Sequence, residues 1–70
     1  MRPLHDYLDC SWIEIICING KEYQGFPLDI NYHDESFSGE NEIILENREW
    51  DGPQFFCIQQ SNIKEVHIIR

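Results

Sequence analysis

Asn19-Gly20 lies between two strand-like runs, Trp12-Ile13-Glu14-Ile15-Ile16-Cys17-Ile18 and Lys21-Glu22-Tyr23-Gln24-Gly25-Phe26. Asn-Gly flanked by apolar alternation is the strongest short-range hairpin signal, because both residues tolerate the positive φ of a tight turn. This one feature commits the N-terminal third of the chain to antiparallel β structure.

Polarity decides the register of that hairpin. A strict two-residue turn pairs Ile18 with Lys21 and places Glu22 and Gln24 on the face of Ile13, Ile15 and Cys17. A three-residue loop with Gly20 left-handed, in a G1 bulge, pairs Cys17 with Lys21 and Ile15 with Tyr23. One face then reads Ile13, Ile15, Cys17, Tyr23, and the other Glu14, Ile16, Glu22, Gln24. Burying an unpaired Glu22 is costly, so the bulged register is expected.

The remaining elements follow from local signals. Leu4, Tyr7 and Leu8 form a short helical stripe over residues 3–10, with Pro3 suited to the first turn and Asp6 and Asp9 facing water. Gly25 and Pro27 mark a corner or bulge in the second strand, which resumes through Leu28 and Ile30. Residues 31–40 read as a polar loop with Tyr32 and Phe37 as its apolar anchors. Glu42–Glu46 and Gln54–Ile58 are the third and fourth strands, joined by a wide hydrated turn containing Asp51-Gly52. Ser61-Asn62-Ile63 makes a tight turn before a last strand over Lys64–Ile69, with Val66 and Ile68 facing inward. The count predicts a mainly β domain over residues 1–70: a short helix at 3–10, then a small, strongly bent five-stranded barrel at 11–70.

Seventy residues are near the lower size limit for a self-sufficient core. Isoleucine outnumbers leucine and alanine is absent, which favours strands over a helical bundle. Oligomerisation is an ordinary remedy for a small core. The net charge is −8, from 13 acidic against 5 basic side chains. Such a surface repels phosphate backbones and anionic lipid, and it favours a positively charged protein partner.

The order of elements resembles the Sm-like branch of small SH3-like barrels, in which a short helix precedes five bent strands. Ile13, Ile15, Cys17, Gly20, Tyr23 and Gly25 stand at that family's apolar alternation and turn glycines, and Ser61-Asn62-Ile63 at its short last link. RNA-binding Sm proteins carry basic and glycine residues in that link, which Gln60-Ser61-Asn62-Ile63 lacks. Asn47, the nearest loop asparagine, is surrounded by Glu46, Glu49 and Asp51. The chain is also similar to the Rho-binding antiterminator family at Tyr7, Cys10, Gly20, Gly25, Asp29 and Ile63-Lys64-Glu65-Val66. That resemblance implies an acidic Sm-like protein that binds the transcription terminator Rho and blocks its access to RNA.

The candidate chemistry is sparse. Cys10, Cys17 and Cys57 are odd in number without a Cys-x-x-Cys pair, and with His5, His33 and His67 they lack metal-site spacing. Residues 29–40 superficially match a calcium loop, but Asp34 stands where the turn needs glycine. No Cys-His pairing is evident, so neither catalysis nor a cofactor or metal is expected. The opening residues have no apolar leader run and no segment has membrane-spanning length, which makes a cytoplasmic location the expectation.

Protein binding is the remaining case. Trp50 sits in a polar turn with Arg48, Glu49 and Asp51, following Glu46. Trp and Arg are frequent hot-spot residues, and an acidic rim steers a basic partner. The expected function is a small acidic protein-binding module, an adaptor or inhibitor of a basic nucleic-acid-handling protein. The alternative is a self-associating structural module, a homo-oligomer with open strand edges at Ile43-Ile44-Leu45 or His67-Ile68-Ile69.

Overall fold

The structure, a computed structural model, describes residues 3–49 and 52–70. After an N-terminal 3-10 helix, Leu4–Asp9, come strands β1 (Ile13–Cys17), β2 (Glu22–Asn31), β3 (Glu42–Asn47), β4 (Gln54–Gln59) and β5 (Ile63–Ile68). A short 3-10 turn, Gln60–Asn62, links β4 to β5. The strands form one antiparallel sheet in the order β4-β3-β2-β1-β5.

The hairpin adopts the bulged register. Ile15 faces Tyr23, Glu14 faces Gln24 and Ile16 faces Glu22. The Cys17 N–H donates to the Lys21 carbonyl at 2.8 Å, and Gly20 has φ +88°. Keeping Glu22 and Gln24 exposed decides this pairing.

β2 serves two partners. Its first half, through Gly25, pairs with β1, and from Phe26 onward it pairs with β3. The register slips between Pro27 and Asp29, a bulge where the sequence places proline. The inner face carries Ile13 and Ile15 of β1, Ile30 of β2, Ile43 and Leu45 of β3, and Ile58 of β4, all buried. Leu4 and Tyr7 of the helix close over this core, three residues apart and therefore eclipsed on a 3-10 turn. Asp6 and Asp9 face water.

Several expectations are corrected. The sheet is open, and no strand ladder joins β4 to β5, so the strongly bent Sm-like (SH3-like) barrel is not formed. The β4–β5 link spends its backbone groups elsewhere: Gln60 N–H donates to the Asn41 carbonyl at 2.9 Å, and the Asn62 carbonyl accepts from Ile18 N–H at 2.8 Å. The apolar alternation and turn glycines serve an open sheet equally well. The likeness to the Rho-binding antiterminator family, drawn through that barrel, falls with it.

Smaller corrections concern apolar residues. Ile68 shares a register row with Ile13 yet is exposed, because β5 is an edge strand. Phe37 is fully exposed and Tyr32 half out of the protein, so neither anchors the 32–41 loop. Polar bonds do that, among them Ser36 Oγ to the Glu40 carbonyl at 2.6 Å and His33 N–H to Asn41 Oδ1 at 2.9 Å. Trp12 is half-buried outside the core cluster, with the Arg70 guanidinium 5.4 Å from its ring.

Candidate functional site

Strand pleating puts directly opposed residues of neighbouring strands on one face. Across β2, β3 and β4 the row Pro27–Leu45–Phe56 points inward, as does Ile30–Ile43–Ile58. The intervening rows point out: Phe26–Glu46–Phe55, Asp29–Ile44–Cys57 and Asn31–Glu42–Gln59. Leu28, the bulged residue, adds to the same outer face.

This outer face is unusually apolar for an acidic chain. Phe26 is 42% exposed and Phe55 58%, and they flank Glu46 from either side. Leu28 is exposed beside them and Ile44 half-buried beneath. Several exposed large apolar side chains gathered on one face mark an interaction surface more often than singly scattered ones do.

Glu46 is the charged centre of the patch, and Arg48 neutralises it. The Arg48 Nε–H donates to Glu46 Oε1 from two residues away, with side-chain exposures of 73% for Arg48 and 14% for Glu46. Between them Asn47 points to the other side and is buried. Its Nδ2 donates to the Gln24 carbonyl at 2.9 Å, and its Oδ1 accepts from Glu49 N–H at 2.9 Å. Glu49, exposed, lines a depression of about 440 Å³ with Glu22, Tyr23 and Phe56. Of the five residues expected to form one binding turn, Glu46 and Arg48 meet, and Glu49 lines that depression. Trp50 and Asp51 lie outside the described residues.

Glu42 begins β3 on the same outer face and is buried. Its carboxylate accepts from Ser38 Oγ at 2.8 Å, from Asn31 Nδ2 at 3.5 Å and from the Cys57 thiol at 3.5 Å. The Ser38 hydroxyl does most to hold its pKa below the ordinary glutamate value; burial opposes it, and the Cys57 and Asn31 donors add to the lowering. The Cys57 thiol is pushed up by burial first and then by the Glu42 carboxylate, and burial also raises Cys17. Raised thiols are poor nucleophiles at neutral pH. Among the described residues no three or more His, Cys, Asp or Glu side chains gather as a metal site, and no helix is long and apolar enough to cross a membrane.

A groove of about 530 Å³ runs beside β4, lined by every strand residue from Phe55 to Gln59. Its far wall is built from Cys17, Lys21 and Tyr23 of the hairpin region and Asn62 of the link. Tyr23 meets Phe56 across the inner side, with ring centroids 5.0 Å apart. Sequence reasoning passed over Phe26, Phe55 and Glu42. The signal available was parity: Phe55 and Ile58 are three apart, so a strand that buries one exposes the other.

Comparison with protein-family models, with curated proteins and with solved structures gives no match.

Proposed function

We propose that this chain is a small acidic protein-binding module whose docking surface is the outer face of β2, β3 and β4. The observation that carries the reading is the row Phe26–Glu46–Phe55, two exposed aromatic rings flanking a carboxylate on a chain of net charge −8. Aromatic side chains supply contact area, and the carboxylate supplies an ionic anchor. The partner is a basic protein, since the overall field attracts cations and opposes a second acidic surface. Nucleic-acid-handling proteins present such basic surfaces, and an acidic module on one of them acts as an adaptor or a competitor for its nucleic acid.

Glu46 has a resident partner in Arg48, so binding is an exchange of cations. A partner lysine or arginine displaces the Arg48 guanidinium and takes the carboxylate between the two phenylalanines. The Arg48 side of the pair is open to water, and an incoming cation replaces one charge-assisted contact to Glu46 with another, so the exchange loses little.

The test is capture from host lysate at low and high salt, with the Phe26→Ser/Phe55→Ser double variant alongside. A basic protein retained by the wild type, but lost at high salt and by the variant, supports the reading. An empty capture from a folded sample that sediments as an oligomer overturns it in favour of a self-associating structural module.

A further inference from the structure

The two edges of the sheet differ in how they are defended. β5 carries Lys64, Glu65 and His67 along its six residues, and its pairing with β1 slips at Ile16/Cys17. Charges and irregular pairing are the devices that keep an edge strand from recruiting another chain. β4 has neither. Gln54-Phe55-Phe56-Cys57-Ile58-Gln59 contains no charge, no proline and no glycine, and it pairs with β3 in unbroken register over all six residues.

An open, regular edge presents alternate N–H and C=O groups in the pattern an extended chain requires. Beside this edge lies the 530 Å³ groove, within the range that ordinary ligand pockets span. Tyr23 and Phe56 give it an apolar floor with Cys17 and Ile58 buried behind them, and Asn19, Lys21, Gln59 and Asn62 make the rest of its wall polar.

Resting on the protein-binding reading above, we propose that β4 accepts an extended basic segment of the partner as a sixth strand. Alternate residues of that segment are apolar and fill the groove beside Phe56 and Ile58. The residues between them are lysine or arginine and lie on the outer face, continuing the rows that end in Phe55 and Gln59. From there Glu46 is two strand spacings away, about 10 Å, within reach of a long basic side chain lying over the neighbouring row. Backbone bonds supply affinity without sequence preference, and the alternation supplies selection. A second copy of this chain is the less suitable occupant. It brings another −8 to the interface, whether it offers its own β4 edge or its charged β5 edge.

The experiment uses the full chain and three blocked hexapeptides: lysine alternating with valine, the same peptide N-methylated at alternate amides, and glutamate alternating with valine. Amide chemical shifts and hydrogen exchange report the site. The expected result is binding of the lysine peptide alone. Shifts should concentrate at residues 54–59, Lys21 and Tyr23, and exchange should slow at least about tenfold at alternate β4 amides. N-methylation should weaken binding about tenfold or more, because it removes ladder donors and keeps the charge. Phe55→Lys, at an exposed position, should fold normally and lose the peptide. Because Phe55 also belongs to the outer-face row, the N-methylated peptide is the arm that separates strand addition from face docking.

Equal binding of the N-methylated peptide, with shifts at Phe26 and Glu46 and no β4 protection, overturns strand addition and leaves the protein-binding reading intact. Protection at β5 in place of β4, retention of the peptide by Phe55→Lys, or no binding of the lysine peptide overturns it as well. The lysate capture then decides the wider reading separately. Concentration-dependent β4 protection in the protein alone, with a doubled mass, identifies a second copy as the occupant and overturns the basic segment.

Discussion

A Cβ placed on Gly25 would stand 2.8 Å from the carbonyl oxygen of Glu46. Residue 25 is the last of β2 to pair with β1, and the next residue, Phe26, faces Glu46 across β3. The chain changes partners here, and the backbones come too close for any side chain. Gly25→Ala should therefore destabilise the fold by about 1–3 kcal/mol, the usual cost of overpacking against something that cannot yield. Urea unfolding measures this. A loss under ~0.5 kcal/mol would show that the β2 crossover relaxes freely.

Asn47 makes the second tie at this corner. Its side chain satisfies the Gln24 carbonyl and the Glu49 N–H together, from a buried position. Asn47→Ala should cost about 1–3 kcal/mol, because a buried polar group left without its partner bears its desolvation penalty. Asn47→Asp keeps an acceptor for the Glu49 N–H but sets a buried carboxylate oxygen against the Gln24 carbonyl, and should be at least as destabilised as the alanine variant. Thermal melts of the three proteins rank them, and an alanine variant as stable as wild type would remove Asn47 from the structural account.

The sequence made some of this legible. Asn19-Gly20 and the penalty on Glu22 specified the hairpin register residue by residue, because turn chemistry and polarity are both local. Gly25 and Pro27 located the bend for the same reason. Whether the sheet closes was not legible, since an open sheet and a barrel ask for the same inward alternation at Ile13, Ile15, Ile43 and Leu45. The site was partly legible. Glu46 and Arg48 do meet, while Asn47 between them is buried through a hydrogen bond to the Gln24 carbonyl, a partner far away in sequence that no local signal announces. Phe55 was counted simply as strand, although its parity against Ile58 placed it outside.

Glu42 gives the fold an acid-sensitive point. Its folded pKa lies below the ordinary value of 4.5, chiefly through the Ser38 hydroxyl. A depressed carboxylate contributes stability that is complete above the unfolded pKa and is lost as pH falls through the folded one. Stability should thus decline from about pH 4.5 downward more steeply in wild type than in Glu42→Gln. Ser38→Ala should recover part of the glutamine behaviour. Denaturant midpoints at pH 3 to 7 give the comparison, and parallel wild-type and Glu42→Gln curves would refute the assignment.

The same carboxylate governs the Cys57 thiol. Cys57 is exposed as a residue, yet its thiol is raised by desolvation and by Glu42, to which it donates at 3.5 Å. Only the thiolate reacts with alkylating reagents, so labelling at pH 8 should be slower than for an unhindered cysteine. Glu42→Gln should lower the thiol pKa and speed alkylation at Cys57, while Cys17, whose thiol is raised by its own burial and not by that carboxylate, should not respond. Site-resolved mass spectrometry over time tests this, and an unchanged Cys57 rate would mean that burial alone sets the thiol.

Arg48 carries the least intuitive expectation for binding. A surface arginine near aromatic residues ordinarily reads as a hot spot, and its removal then weakens a complex. Here its guanidinium occupies the Glu46 carboxylate that the proposed basic partner must reach. Arg48→Ala should free that carboxylate and add one unit of negative charge. The affinity for the basic partner should rise severalfold, because the incoming cation no longer has to displace the guanidinium. Glu46→Gln should lower it, and the double variant should resemble Glu46→Gln, since Arg48 then has nothing to compete for. Titrations at two salt concentrations separate the cases. A drop in affinity for Arg48→Ala with Glu46→Gln unaffected would make Arg48 itself the contact and Glu46 merely its support.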